Sequence, residues 1–88
     1  MNEDKLNSLR KEVDALDKEM IGLLKKRFKL AIDIWEIKKP LGMKIKNSRR
    51  EKEIIDRITR ESGFNRRFVK KLCNIIFKES RRIQREAC

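Results

Sequence analysis

From Leu6 to Lys38 the apolar residues recur alternately three and four positions apart: Leu6, Leu9, Val13, Leu16, Met20, Leu23, then Leu30, Ile34 and Ile37. That spacing is the seam of a long, heptad-patterned helix. At 1.5 Å per residue the stretch spans about 50 Å. A compact globule of this chain length has a radius of gyration of only about 12 Å. A rod that long cannot be enclosed by its own small domain. It has to project outward and bury its seam on another chain, which predicts an obligate dimer.

One seam position breaks the pattern. The slot between Leu23 and Leu30 is Arg27, with Leu24 and Ala31 a turn away. An unpaired charge on a buried face is very costly, so this guanidinium requires an anionic partner. An ion pair within or between helices meets that need, and so does a small anionic ligand. Lys38 lies eleven residues on, and eleven steps of 100° return to nearly the same face, roughly 16 Å along the axis. Two long cationic side chains therefore reach toward the same small volume from opposite ends.

Charged residues make up 44% of the 88 residues, beside a single proline, which favours long helices in one small domain over residues 1–88. No apolar run approaches the roughly 18 residues of a membrane span. The polar, acidic start after Met1 does not read as a secretory signal. Cys73 and Cys88 stand without a CxxC motif and without any histidine, so no zinc site is recognisable and no metal or cofactor is expected. They read as reduced thiols of a cytoplasmic protein, Cys73 as core filler and Cys88 as a loose end. The net charge of +11 is lopsided: residues 1–39 carry ten Lys/Arg against eight Asp/Glu, residues 40–88 fifteen against six. Such a bias suits nucleic acid, an anionic surface or a small polyanionic ligand.

The first helix is expected to start around Asp4 or Lys5, where Glu3 and Asp4 complement its dipole. From Ile21 on, Leu24, Phe28, Ala31 and Trp35 widen the apolar surface, so the second half packs on more than one neighbour. Pro40 ends the helix and Gly42 supports a loop through Asn47. Ser48-Arg49-Arg50-Glu51 reads as a capping box opening a second helix, with Ile54, Ile55 and Ile58 inward and Gly63 as its stop. Asn65 caps a third helix, with Phe64 and Val69 spaced for a hydrophobic staple. Its inner stripe reads Val69, Leu72, Cys73, Ile76, Ser80, Ile83, Gln84 and Ala87. Arg66, Arg67, Lys70, Lys71, Lys78, Arg81, Arg82 and Arg85 form its outer face.

The polar interruptions share a chemistry. Arg27, Lys38, Arg50, Glu51, Ser80 and Gln84 sit on or beside the apolar faces of three helices. Three cations, one carboxylate and two neutral hydrogen-bonding groups are the inventory of a closed pocket for a small dianion bearing a hydroxyl. Arg10 flanks the seam about 25 Å from Arg27. That is too far to share a small ligand within one chain, but an antiparallel partner brings its own Arg10 to the Arg27 end.

Leu9-Arg10 before Val13-Asp14-Ala15-Leu16-Asp17, then Leu23-Leu24-Lys25-Lys26-Arg27, then Ile37-Lys38, closely resembles the all-helical chorismate mutases. Arg49-Arg50-Glu51 and the pairing of Ser80 with Gln84 continue the match, which covers about Leu6 to Glu86. The resemblance implies an all-α fold, one long and two shorter helices per chain, in an intertwined homodimer with two sites. It implies that Arg27 and the partner's Arg10 hold the two carboxylates of chorismate. Lys38 and Gln84 contact the ether oxygen whose bond breaks. Arg50 adds positive charge, Glu51 meets the ring hydroxyl, and Ser80 lines the pocket. At Asn47, also a substrate-binding position, the family often has an aspartate; a backbone contact there does not depend on the side chain.

The rearrangement of chorismate to prephenate is an intramolecular pericyclic step that needs no nucleophile, metal or proton relay. A site without histidine or an activated cysteine suits it. Two other readings compete. An isochorismate pyruvate-lyase resembles the same family and uses similar cations, although the mutases match more closely. A basic helical dimer that binds nucleic acid, or a plain coiled-coil scaffold, leaves Arg27, Ser80 and Gln84 unexplained.

Overall fold

The computed structural model describes residues 2–87, and within them the chain is three α-helices joined by short connections. Helix α1 runs Asn2–Lys38, α2 Ser48–Ser62 and α3 Arg66–Glu86. The start of α1 lies two to three residues before the expected Asp4 or Lys5; Glu3 and Asp4 occupy its first turn, where carboxylates offset the exposed N–H groups. Cys88 lies outside the described residues. Among the described residues, no helix is long and apolar enough to cross a membrane.

At 37 residues α1 is longer than its seam, and it sets the shape of the molecule. The radius of gyration is 17.0 Å and the longest dimension 61 Å, against the roughly 12 Å radius of a compact chain of this length. The seam itself is open: Leu9, Val13, Leu16, Met20 and Leu23 are exposed, Leu16 at 62%. Among the described residues of α1 only Ala31, beside the seam in the second half, is buried within the chain.

Helix α3 is the element against which both others pack. Its buried residues are Val69, Cys73, Phe77, Ser80 and Gln84, a single stripe with steps of four, four, three and four. The stripe expected from sequence strayed to one side. Leu72 is exposed, Ile76 half-buried and Ala87 exposed, while Phe77 fills the centre. Ile54 and Ile55 of α2 close on Val69, Cys73 and Phe77, with Ile58 packed at the edge. Cys73 is core filler as expected, and burial pushes its thiol above the ordinary range.

The helix ends follow local chemistry, with one correction. Asn47, not Ser48, caps α2: its backbone is extended and its side-chain oxygen accepts the Arg50 N–H at 3.0 Å. Ser48 is already helical and the residue three after the cap is Arg50, a donor. The expected Ser48–Glu51 capping box therefore does not form, and Glu51 is released from a capping role. Gly63 ends α2 with φ of 69°, a left-handed conformation that favours glycine, and its N–H reaches the Thr59 carbonyl. Asn65 caps α3 through the N–H groups of Arg67 and Phe68. The ring contact at that corner is Phe64 edge-on to Phe68, with centroids 5.7 Å apart.

Candidate active site

Where α1 leaves the seam and turns its second half toward α3, the side chains at 27, 31, 34 and 38 form one wall of a cavity of about 310 Å³. The loop after α1 and the first turns of α2 supply the far wall with Met43, Ile45, Asn47, Arg50, Glu51 and Ile54, and α3 closes the space with Phe77, Ser80, Arg81 and Gln84. The size falls in the small-molecule range. Four cations and one carboxylate border it, a net charge of +3, so it selects for anions.

Each cation is held by a specific contact. Arg27 lies over the face of Phe77, 5.6 Å from its centroid, and Nη1 donates to Ser80 Oγ at 3.4 Å. The aromatic face partly satisfies the charge, and the residue borders the cavity. Ser80 in turn donates to the Ile76 carbonyl at 2.9 Å, which fixes its oxygen as an acceptor for Arg27. Lys38 Nζ donates to the Ile45 carbonyl at 3.0 Å. That bond folds the loop back over the end of α1, which brings Met43, Ile45 and Asn47 to the wall. The turn is tightened by Leu41 and Met43 N–H groups on the Lys38 carbonyl.

Gln84 is buried, with 7% exposure, and its Nε2 donates to the Ala31 carbonyl at 2.8 Å. A primary amide carries two N–H donors, so this bond sets the plane of the group against α1. Glu51 pairs with Arg81 Nη1 across the α2–α3 junction, and both side chains are largely buried, at 19% and 15% exposure. Arg50, by contrast, is exposed and forms an ion pair with Glu53 at 3.7 Å.

Seven of the eight residues singled out from sequence therefore border one cavity: Arg27, Lys38, Asn47, Arg50, Glu51, Ser80 and Gln84. The eighth, Arg10, does not. It is exposed on α1, seventeen residues and about 25 Å before Arg27. Among the lining residues that the sequence reading did not single out are Phe77 and Arg81. Phe77 was skipped by the misplaced stripe, and Arg81 was assigned to the outer face. The available signal was helical spacing, since Arg81 is four after Phe77 and three before Gln84.

The chemistry of such a cavity is limited and specific: it can bind a small polyanion, fix its shape and present donors to an oxygen. Comparisons with known proteins agree. Residues 9–85 match the family described as Chorismate mutase type II. A chorismate mutase of Methanocaldococcus jannaschii is 33% identical over 86 residues, covering 94% of this chain and 87% of that protein. A bifunctional chorismate mutase/prephenate dehydratase of Aquifex aeolicus is 44% identical over 57 residues, 65% of this chain but 16% of the relative. A second bifunctional protein of that description, from Buchnera aphidicola subsp. Schizaphis graminum, is 32% identical over 78 residues, 85% of this chain and 20% of the relative. The chain thus spans at most a fifth of these bifunctional relatives. No solved structure matches it significantly. With a family match over most of its length and a cavity of the fitting charge, the chain belongs to the chorismate mutase type II family.

Proposed function

We infer that this protein is a chorismate mutase, an isomerase that rearranges chorismate to prephenate in aromatic amino-acid biosynthesis. The observation that carries the reading is the convergence of Arg27, Lys38 and Gln84, from two helices, on one cationic cavity. In the reaction the ether C–O bond breaks as a C–C bond forms within the same molecule. The protein has two tasks: to hold the substrate in its compact reactive shape, and to stabilise negative charge growing on the ether oxygen with fixed donors.

The roles are those that the family resemblance implies, and the shared cavity supports them. Arg27, backed by Phe77 and Ser80, holds one carboxylate. Lys38 and Gln84 donate to the ether oxygen; the bonds to Ile45 and Ala31 pre-aim both groups, so little reorganisation is needed when charge develops. Glu51 accepts from the ring hydroxyl. Ser80 lines the Arg27 end, and Arg50 and Asn47 border the α2 end, where Arg50 adds positive charge. Asn47 Oδ1 is committed to capping α2, so its share in binding comes from the backbone and from setting that first turn.

The second carboxylate needs a further cation, and Arg10 of a partner chain supplies it. The proposed assembly is an intertwined homodimer of single-domain chains, operating in the cytoplasm, with α1 of each chain crossing the other. Its support is the open seam. Burying six side chains from Leu6 to Leu23 at about 1.5–3 kcal/mol each gives on the order of 10 kcal/mol, as much as the whole stability of many domains. The core within one chain is far smaller than such a rod requires.

The test is direct. Chorismate mixed with the purified protein should lose its ultraviolet absorbance as prephenate forms. Conversion of isochorismate with release of pyruvate, and none of chorismate, would transfer the assignment to the lyase.

A further inference from the structure

Arg81 and Arg82 are adjacent on α3 yet have opposite surroundings. Arg82 is half exposed and bound by Glu79 and Glu86 of its own helix. Arg81 turns the other way, is 15% exposed, borders the cavity and pairs with Glu51, thirty residues back on α2. The pair is thus part of the site wall and not of the charged exterior.

Its placement creates a problem and solves it. Glu51 sets a carboxylate into a space that otherwise selects for a dianion, where a like charge opposes binding. Arg81 neutralises that carboxylate and ties down Oε2. A carboxylate has two oxygens and accepts through both, so the other stays able to meet a hydroxyl. A purely bracing role accounts poorly for the arrangement, because desolvation largely offsets the attraction within a buried ion pair. Nor does α2 need Glu51 for its cap, since Asn47 fills that position.

We propose that Arg81 is a positioning and specificity residue of the active site: it orients Glu51 toward the substrate's ring hydroxyl and cancels the repulsion between Glu51 and the substrate's carboxylates. This rests on the chorismate mutase reading above. Both effects act on bound substrate and transition state alike. Their loss therefore appears in KM and leaves kcat nearly unchanged.

The experiment compares Arg81→Met and Arg81→Lys, each alone and in a Glu51→Gln background, by steady-state kinetics on chorismate. Losing a charge-assisted hydrogen bond predicts a KM rise of about 10- to 100-fold for Arg81→Met, with kcat within about threefold. Arg81→Lys, which keeps the charge, should recover most of the loss. Once Glu51 is glutamine, Arg81→Met should change KM less than about twofold, because there is no carboxylate left to orient or neutralise. A folded Arg81→Met enzyme with wild-type KM overturns the proposal, and so does an equal KM rise in the Glu51→Gln background. Should Arg81→Met not fold, Arg81→Gln, which retains an N–H donor without the charge, is judged by the same criteria. Wild-type protein inactive on chorismate would defeat the functional reading itself, a result distinct from either of these.

Discussion

Gln84 on α3 donates its side-chain amide to the main-chain carbonyl of Ala31 on α1, 2.8 Å away and 53 residues apart in sequence. This one bond locks two helices together at the cavity wall and sets the direction of the amide proposed to meet the ether oxygen. The structural bond and the proposed catalytic role thus fall on a single group, and pH can separate them.

Gln84→Ala should lower kcat/KM by about 10²–10³, the usual loss for one donor aimed at developing charge. Gln84→Glu is nearly isosteric, but when ionised it only accepts hydrogen bonds. It then faces both the Ala31 carbonyl and the ether oxygen with negative charge. Burial raises the new carboxyl's folded pKa above its unfolded value of about 4.3, although Lys38 opposes the shift. A raised folded pKa means the variant's stability is fully present below the unfolded pKa and is lost as pH rises through the folded one. Tm and kcat/KM of Gln84→Glu should both climb as pH falls from about 8 to 4.5, with no matching rise in the wild type. A protonated carboxyl has one O–H against the amide's two N–H groups. Recovery of Tm without kcat would therefore mean that the proton serves the Ala31 carbonyl and the ether oxygen still lacks its donor. A variant as active as wild type at pH 8 removes Gln84 from the mechanism.

Asn47 is expected to act mainly through the fold. Its Oδ1 caps the turn of α2 that carries Arg50 and Glu51. Asn47→Ala should cost about 1 kcal/mol of stability. Asn47→Asp keeps the acceptor and adds a charge that suits a helix N-terminus, so its denaturation midpoint should equal or exceed that of the wild type. Urea melts of the three proteins decide the matter. An unchanged midpoint for Asn47→Ala would show the cap to be dispensable.

How much of this was legible beforehand differed by residue. Arg27, Ser80 and Gln84 stood out because a polar group interrupting a helical apolar stripe breaks a strong periodic signal. Pro40, Gly63 and Asn65 marked their boundaries because each has a backbone preference that operates locally. Arg81 was hidden for the converse reason. It sits in a run of arginines at the edge of the inner stripe, and a long side chain there can turn either way. Only Glu51, brought close by the packing of α2 on α3, decides its direction. The cap of α2 was ambiguous because Asn47 and Ser48 are both good capping residues; the extended backbone at Asn47 settles it. Leu72 and Ile76 were placed inward by helical spacing; Leu72 is exposed and Ile76 half-buried, because Phe77 lies closer to the line from Val69 to Ser80.

The open seam predicts the state of the protein in solution. Sedimentation at micromolar concentration should give twice the chain mass of 10.6 kDa. Leu16→Lys places a charge at the centre of the seam, and burying it unpaired is prohibitive. Because the seam is also the largest apolar surface of the chain, this variant should lose its helical circular dichroism instead of yielding a stable monomer. A wild type that sediments as a folded monomer would overturn the dimer.

Arg10 is expected to act across the dimer. Within one chain it lies about 25 Å from Arg27 along a continuous helix, a separation that no side-chain motion closes. Arg10→Ala and Arg27→Ala homodimers should each be nearly inactive, because each lacks one of the two cations that hold the substrate's carboxylates. Mixed under conditions where chains exchange, they form heterodimers with two unequal sites. One site takes Arg27 from the first chain and Arg10 from the second, and is intact; the other lacks both. Activity should therefore return toward half the wild-type value per heterodimer. Differently tagged chains allow the heterodimer to be isolated and assayed alone. Full exchange without recovery would mean that both arginines serve one site from the same chain and would overturn the assignment in trans. A fully active Arg10→Ala homodimer would remove Arg10 from binding.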